Sequence, residues 1–297
     1  MSTELTGVLT ALSTPFNADE TIDTATLRRV VDRSIDGGVA GVVAAGSTGE
    51  VGALSSEERL LLINTVIEHT NGRVPVIAQT GATSTSEAIR LSKAAEKSGA
   101  DVLMLVTPYY EPLTVEETVT YIKDVAGAVD LPIMLYNIPA VTGVNLDPAT
   151  VRSLAEDVEN IRYIKDSSAN WEQALQLIHH HRDVIGTFIG WDAYIYSALA
   201  EGAAGVMAGA ANVVPNEIVA VSRRIAAGDL AGARELWNDV YPVIDALLSV
   251  PFIPSVKAGL ALQGLPAGKP RRPTADLNAA DLARVQQALS ALKQPVG

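Results

Sequence analysis

The chain has no cysteine in 297 residues, which removes disulfides, thiol nucleophiles and thiolate metal sites together. Aromatic residues make up only 5%, and the three tryptophans (Trp171, Trp191, Trp237) are too few for a sugar-stacking surface, although Trp191 is expected to narrow a pocket. Positive charge is also scarce, with 22 Lys and Arg against 34 Asp and Glu and a net charge of −12. An acidic chain without a basic stripe excludes nucleic acid and anionic membrane as expected partners. An anionic substrate would then have to find backbone N–H donors or local positive charge. No apolar run approaches the length of a membrane span. Residues Met1 to Thr6 carry Glu4 and no charged-then-apolar signal pattern. These absences predict a soluble, cytoplasmic protein. Hydrophobic residues make up 48%, enough for a full core, and the length suits two ordinary domains or one α/β barrel with an extension.

Short apolar runs alternate with helical patterns along most of the chain. Eight runs stand out: Gly7–Leu12, Gly41–Ala45, Val74–Ala78, Val102–Val106, Pro132–Tyr136, Tyr163–Lys165, Gly186–Ile189 and Gly205–Ala208. They lack polar alternation, as strands buried on both faces do. Ser55-x-x-Glu58, Ser84-x-x-Glu87 and Thr114-x-x-Glu117 each fit a capping box, and Asp147-Pro148 sets a capping acid before a first-turn proline. Gly38, Gly99 and Gly202 end helices shortly before the next strand. Eight βα units predict a (β/α)8 TIM barrel over residues 1–227. Residues 228–297 read as a C-terminal helical extension, with helices at Ala231–Leu248, Ile253–Leu262 and Ala279–Leu292. An open doubly wound sheet would usually carry a glycine-rich dinucleotide turn after its first strand, and Ser13-Thr14-Pro15-Phe16 is not one.

Chemistry in such a barrel sits at the C-terminal ends of the strands. Of the seven lysines, only Lys165 ends a strand there; Lys93, Lys97, Lys123 and Lys257 fall in helices, and Lys269 and Lys293 in the tail. An amine sheltered from bulk water can attack a carbonyl and form a Schiff base, but a strand-end lysine can equally be an ion-pair partner. Gly46-Ser47-Thr48-Gly49-Glu50 is either a turn into a helix or an anion nest of successive N–H groups and two hydroxyls. Tyr136 is either a core tyrosine or a phenol at the site, and Tyr109-Tyr110 either site residues or oligomer contacts. These groups lie on different strands but at one end of the barrel. His179-His180-His181 are consecutive, so on a helix they cannot face one ion, and no metal is expected. Arg28-Arg29 and Arg223-Arg224 read as solvated helix faces and Arg271-Arg272 as an exposed loop.

Taken in order, Gly-Ser-Thr-Gly-Glu, Tyr-Tyr, Tyr-Asn-Ile-Pro-x-x-Thr-Gly and Tyr-Ile-Lys-Asp resemble the dihydrodipicolinate synthase / N-acetylneuraminate lyase family, from about Gly7 past Asn212. The resemblance implies a class I, Schiff-base TIM-barrel lyase that acts on pyruvate or another 2-oxo acid and needs no cofactor or metal. It also implies a homo-oligomer, commonly a tetramer built as a dimer of dimers. Residue by residue, it makes Lys165 the Schiff-base lysine and Tyr136 the proton-shuttling phenol. Ser47 and Thr48 become the carboxylate-binding hydroxyls, with Ser47 in the proton relay. Tyr110 becomes the relay tyrosine inserted into a neighbouring subunit's site. Gly190 and Met207 line the 2-oxo-acid pocket.

One position departs from the pattern. Val141 stands on the aldehyde side of the pocket, where family members that make the lysine precursor carry a carboxylate-gripping arginine. That loss disfavours dihydrodipicolinate synthase activity proper. Asp166-Ser167-Ser168 offers hydroxyl partners suited to a hydroxylated substrate, so a dehydratase of a sugar-derived 3-deoxy-2-oxo acid is the alternative on the same scaffold. A non-catalytic binding barrel is the third reading. Retention of Lys165, Tyr136, Ser47, Thr48 and Tyr110 argues against it, because binding alone would not require all five.

Overall fold

A computed structural model describes residues 5–292; residues 1–4 and 293–297, among them Lys293, lie outside that range. The eight strands are β1 (Gly7–Ala11), β2 (Gly41–Ala44), β3 (Val76–Gln79), β4 (Val102–Val106), β5 (Ile133–Asn137), β6 (Ile161–Asp166), β7 (Gly186–Ile189) and β8 (Gly205–Ala208). All pair in parallel in chain order, and β8 closes on β1. The helices of the barrel are α1 (Thr24–Asp36), α2 (Ser56–Thr70), α3 (Thr85–Ser98), α4 (Val115–Ala126), α5 (Pro139–Thr142), α6 (Pro148–Asp157), α7 (Trp171–His180), α8 (Ile195–Ala200) and α9 (Pro215–Ala226). Three more follow: α10 (Leu230–Leu248) along α9, then α11 (Phe252–Leu262) and α12 (Ala279–Ala291) against α10. The architecture is a (β/α)8 TIM barrel with a C-terminal helical extension, as the eight apolar runs predict.

The strands carry apolar side chains on both faces because both faces are covered. In β4, Val102, Met104 and Val106 point into the lumen, while Leu103 and Leu105 pack under the helices. Leu9, Val43, Ile77, Met134, Phe188 and Met207 complete the lumen core, so the barrel is filled rather than hollow. Tyr136 belongs to the same inner set and pairs in register with Lys165, which pairs in turn with Phe188. Strand geometry therefore sends the phenol and the amine inward side by side at the C-terminal mouth.

The helix starts follow local chemistry. Ser55 with Glu58 and Thr114 with Glu117 form complete capping boxes, and Asp147 accepts from the Thr150 N–H ahead of Pro148. Ser84 departs from its predicted box. It accepts from the Glu87 N–H, but the Glu87 carboxylate is taken by Arg90 and by Ser56 of α2. The Arg90 bond, then burial working against it and the Ser56 bond, hold the Glu87 carboxyl down at about 2. β6 begins two residues earlier than its apolar run, because Arg162 interrupts the pattern and turns its side chain to solvent at the far end of the barrel. Among the described residues no helix is long and apolar enough to cross a membrane.

Candidate active site

Lys165 is 5% exposed, and its Nζ lies 4.1 Å from the centroid of the Tyr136 ring. Tyr136 is 2% exposed, and its hydroxyl is 3.3 Å from Ser47 Oγ. Amine, phenol and serine hydroxyl thus form one chain of contacts across β6, β5 and the loop after β2. Gly190 follows β7 beside this group. A Cβ there would fall on Ser167 Oγ and on the Lys165 stem, so only glycine leaves the amine its place. Met207 is buried in the lumen core, on β8.

The Gly46–Glu50 loop is a tight turn. The N–H groups of Gly49 and Val51 donate to Gly46 O, and that of Glu50 to Ser47 O. Thr14 Oγ1 secures the loop from β1's side by donating 2.7 Å to Gly49 O. The row of free N–H donors expected from the sequence is therefore shorter than an anion nest. Among the described residues those of Gly46, Ser47 and Thr48 have no acceptor. Ser47 and Thr48 also carry hydroxyls, so these two positions combine N–H and O–H donors, the Ser47 hydroxyl being shared with Tyr136.

Several neighbouring residues turn out differently from their sequence reading. Asp166 and Ser168 do not face the mouth. Strand alternation turns Asp166 outward to Asn137, Ser168 and Gln173, which all donate to it. Burial raises the Asp166 pKa and these three hydrogen bonds oppose the rise. Only Ser167 of the three stays beside Lys165, and its hydroxyl donates 3.2 Å to Gly190 O. The Asp166 and Ser168 side chains are thus spent on structure, and of the three only the Ser167 hydroxyl remains next to the amine.

Tyr110 is 83% exposed and takes no part in this chain's own cluster, whereas Tyr109 packs against the lumen core. Val141, on α5, is 57% exposed and offers no charge. Trp191 is 39% exposed and precedes a 3-10 turn, Asp192–Tyr194. His179 pairs with Glu201 and His181 lies beside Arg152, so the three histidines diverge; among the described residues no three metal-ligating side chains converge.

Arg271 corrects the reading of an exposed loop. Its guanidinium is forked onto Glu58, at 2.7 and 2.8 Å, and stands 4.4 Å from the centre of the Phe16 ring. Arg272 alone points outward. The pattern of prolines around it suggested a loop, but the loop lies down on the barrel and leaves its first arginine only partly exposed.

Asp192 is a group that motif reading passed over. It is 5% exposed and accepts from the N–H groups of Gly209 (3.3 Å) and Ala210 (2.7 Å) after β8. Burial pushes its pKa up to about 6, against the opposing pull of the Ala210 N–H, the Lys165 charge and the Gly209 N–H. A carboxyl two residues past the glycine that borders Lys165 was the available signal. A cavity of about 940 Å³ opens at the opposite, N-terminal end of the barrel, between Arg162, Tyr163, Arg182 and Thr187, and none of the mouth's groups lines it. The strand ends, not that cavity, gather the reactive side chains.

The raised Asp192 pKa has a definite sign in stability. A carboxyl whose folded value of about 6 exceeds the ordinary 3.8 favours folding when protonated. That contribution is complete below 3.8 and is lost as pH rises through 6. Asp192→Asn cannot ionise, so it should gain on the parent chain by up to about 3 kcal/mol between about pH 4 and pH 7. Urea midpoints measured across that range test this, and a stability gap that stays constant with pH would contradict it.

The model of the Dihydrodipicolinate synthetase family matches residues 4–292. The chain is 38% identical over 283 residues to 4-hydroxy-tetrahydrodipicolinate synthase of Oceanobacillus iheyensis, covering 95% of this chain and 96% of that one. It is 40% identical over 277 residues to the enzyme of the same name from Pelobacter propionicus, covering 93% and 95%. It superposes with a TM-score of 0.93 and 35% identity on the crystal structure of the chloride-inhibited dihydrodipicolinate synthase from Acinetobacter baumannii complexed with pyruvate, covering 97% of this chain and 99% of that one. With the barrel, the amine and the phenol in hand, the match over nearly the whole length makes this chain a member of the Dihydrodipicolinate synthetase family, a family of lyases.

Proposed function

We propose that the protein is a class I aldolase that binds pyruvate, or a close 2-oxo acid, as a Schiff base on Lys165 and makes or breaks a C–C bond to an aldehyde. The observation that carries this reading is the buried Lys165 amine 4.1 Å from the Tyr136 ring, with Tyr136 in contact with Ser47. The pyruvate in the Acinetobacter baumannii relative supports a 2-oxo acid as the ligand class.

In this mechanism the Lys165 nitrogen attacks the ketone carbon, and water leaves to give an iminium. The iminium is an electron sink, so the neighbouring carbon loses a proton and becomes an enamine. That carbon attacks the aldehyde carbonyl to form the new bond, the aldehyde oxygen takes up a proton, and water releases the product from Lys165. Cleavage is the reverse. Tyr136 moves the protons, relayed through Ser47 Oγ. The N–H groups and hydroxyls of Ser47 and Thr48 hold the carboxylate, a donor set that suits an acidic chain. Gly190 and Met207 shape the pocket around the methyl and the amine. Val141 supplies no guanidinium, so the aldehyde is read as one without a carboxylate at that position.

The assembly follows the same reading. An 83% exposed tyrosine gains a purpose if it completes the relay in a second copy, so Tyr110 is assigned to a neighbouring subunit's site in a homo-oligomer, a tetramer built as a dimer of dimers. Sedimentation velocity should return an oligomer, and a monomer with full activity would remove Tyr110 from the relay.

Borohydride reduction in the presence of pyruvate should add the mass of a reduced pyruvate adduct to the Lys165 peptide. Lys165→Ala should lose the adduct. Equal trapping in Lys165→Ala would defeat the assignment.

A further inference from the structure

The loop that carries Ser47 and Thr48 ends on Glu50, a residue in the left-handed region at φ +62°. A non-glycine residue is held there only when its surroundings fix it. Here they do so through the side chain, which is 3% exposed and spends each oxygen on the C-terminal extension. Oε1 forms an ion pair at 2.7 Å with Lys257 of α11, outside hydrogen-bond alignment. Oε2 accepts from the Arg271 N–H at 2.8 Å, across 221 residues of chain. Lys257 is itself 3% exposed and donates to Lys269 O at 2.9 Å. Its ammonium lies 4.3 Å from the Phe16 ring centre, and Arg271 approaches the same ring at 4.4 Å. α11 also reaches the mouth directly. A Cβ on Gly209 would lie 2.6 Å from the Phe252 ring and 3.1 Å from Thr48 Oγ1, so Phe252, Gly209 and Thr48 pack in one line.

We propose that Lys257 is a positioning residue for the substrate carboxylate: through Glu50 it holds the Ser47–Thr48 turn in the shape that presents its hydroxyls and N–H groups. This rests on the reading of that turn as the 2-oxo-acid carboxylate site. The link is short. The Glu50 N–H closes the turn on Ser47 O, so any swing of the Glu50 backbone moves Ser47. Removing the ammonium leaves a buried carboxylate without its counter-charge, which must move toward water or take up a proton. Either response releases the turn. Tyr136 on β5 and Lys165 on β6 are held by their own strand pairing; only the Tyr136 hydroxyl touches the turn, at Ser47, so the amine stays in place while the carboxylate grip loosens.

That separation makes the proposal testable with two ketones. Pyruvate carries the carboxylate; acetone presents the same ketone without it. Borohydride trapping on the Lys165 peptide is titrated with each, in the parent chain and in Lys257→Met, Lys257→Arg and Glu50→Gln. Lys257→Met and Glu50→Gln should raise the half-saturating pyruvate concentration by roughly tenfold or more while leaving acetone trapping as in the parent. Lys257→Arg, which keeps the charge, should recover most of the pyruvate affinity. If both ketones weaken together, the pair merely supports the fold and the proposal fails. If pyruvate titrates identically in all four proteins, it fails as well. Should Lys257→Met not fold, Glu50→Gln alone decides between these outcomes. A parent chain that traps no pyruvate removes the functional reading itself, whereas a parent that traps it beside unaffected variants removes only the role of Lys257.

Discussion

Everything at the barrel mouth depends on the contact between Lys165 and Tyr136. Two neighbouring parallel strands, in register at these two residues, put a buried amine 4.1 Å from the centre of an aromatic ring. Among the described residues no carboxylate is hydrogen-bonded to this nitrogen, which rests on the ring face. Gly190 keeps the space open by having no side chain to fill it. A buried acid, Asp192, is occupied by two backbone N–H groups and interacts with Lys165 through its field rather than by a direct hydrogen bond. The lumen core below, with Phe188 and Met104 fully buried, makes the two strands too rigid to drift apart.

The second layer is the proposed carboxylate grip, which has to work in an acidic chain. With a net charge of −12 and no arginine in the mouth motifs, the donors come from one turn, and the turn comes from its supports. Thr14 holds it from β1, and Glu50 ties it to α11 and to the Arg271 segment. The extension beyond the barrel is therefore tied to the turn that the proposed function assigns to the carboxylate. It packs Phe252 beside Gly209 near Thr48 and pairs Lys257 with Glu50 at the end of the turn.

Much of this was legible in the sequence, for identifiable reasons. Unbroken apolar runs separated by capped helices gave the barrel, because burial on both faces removes polar alternation. Lys165 was legible because a strand end has a direction. Asp166 and Ser168 were misread because Asn137 on β5 and Gln173 on α7 decide which way they are spent. Arg271 and the buried role of Lys257 were not legible. Both depend on partners more than two hundred residues away, Glu50 and Glu58, and neither helical periodicity nor a proline-rich stretch encodes such a contact. Asp192 was hidden for a related reason, since its burial comes from the turn after β8.

The central claim is that Lys165 converts a bound 2-oxo acid into a carbon nucleophile. Hydrogen exchange at the pyruvate methyl group tests this without any knowledge of the aldehyde. In deuterated water, proton NMR should show the methyl signal of pyruvate disappearing in the presence of the protein, because each enamine that re-protonates takes up deuterium. The Lys165→Ala chain should leave the signal at its uncatalysed rate. An unchanged methyl signal with the parent protein, or exchange at the same rate without Lys165, would contradict the account.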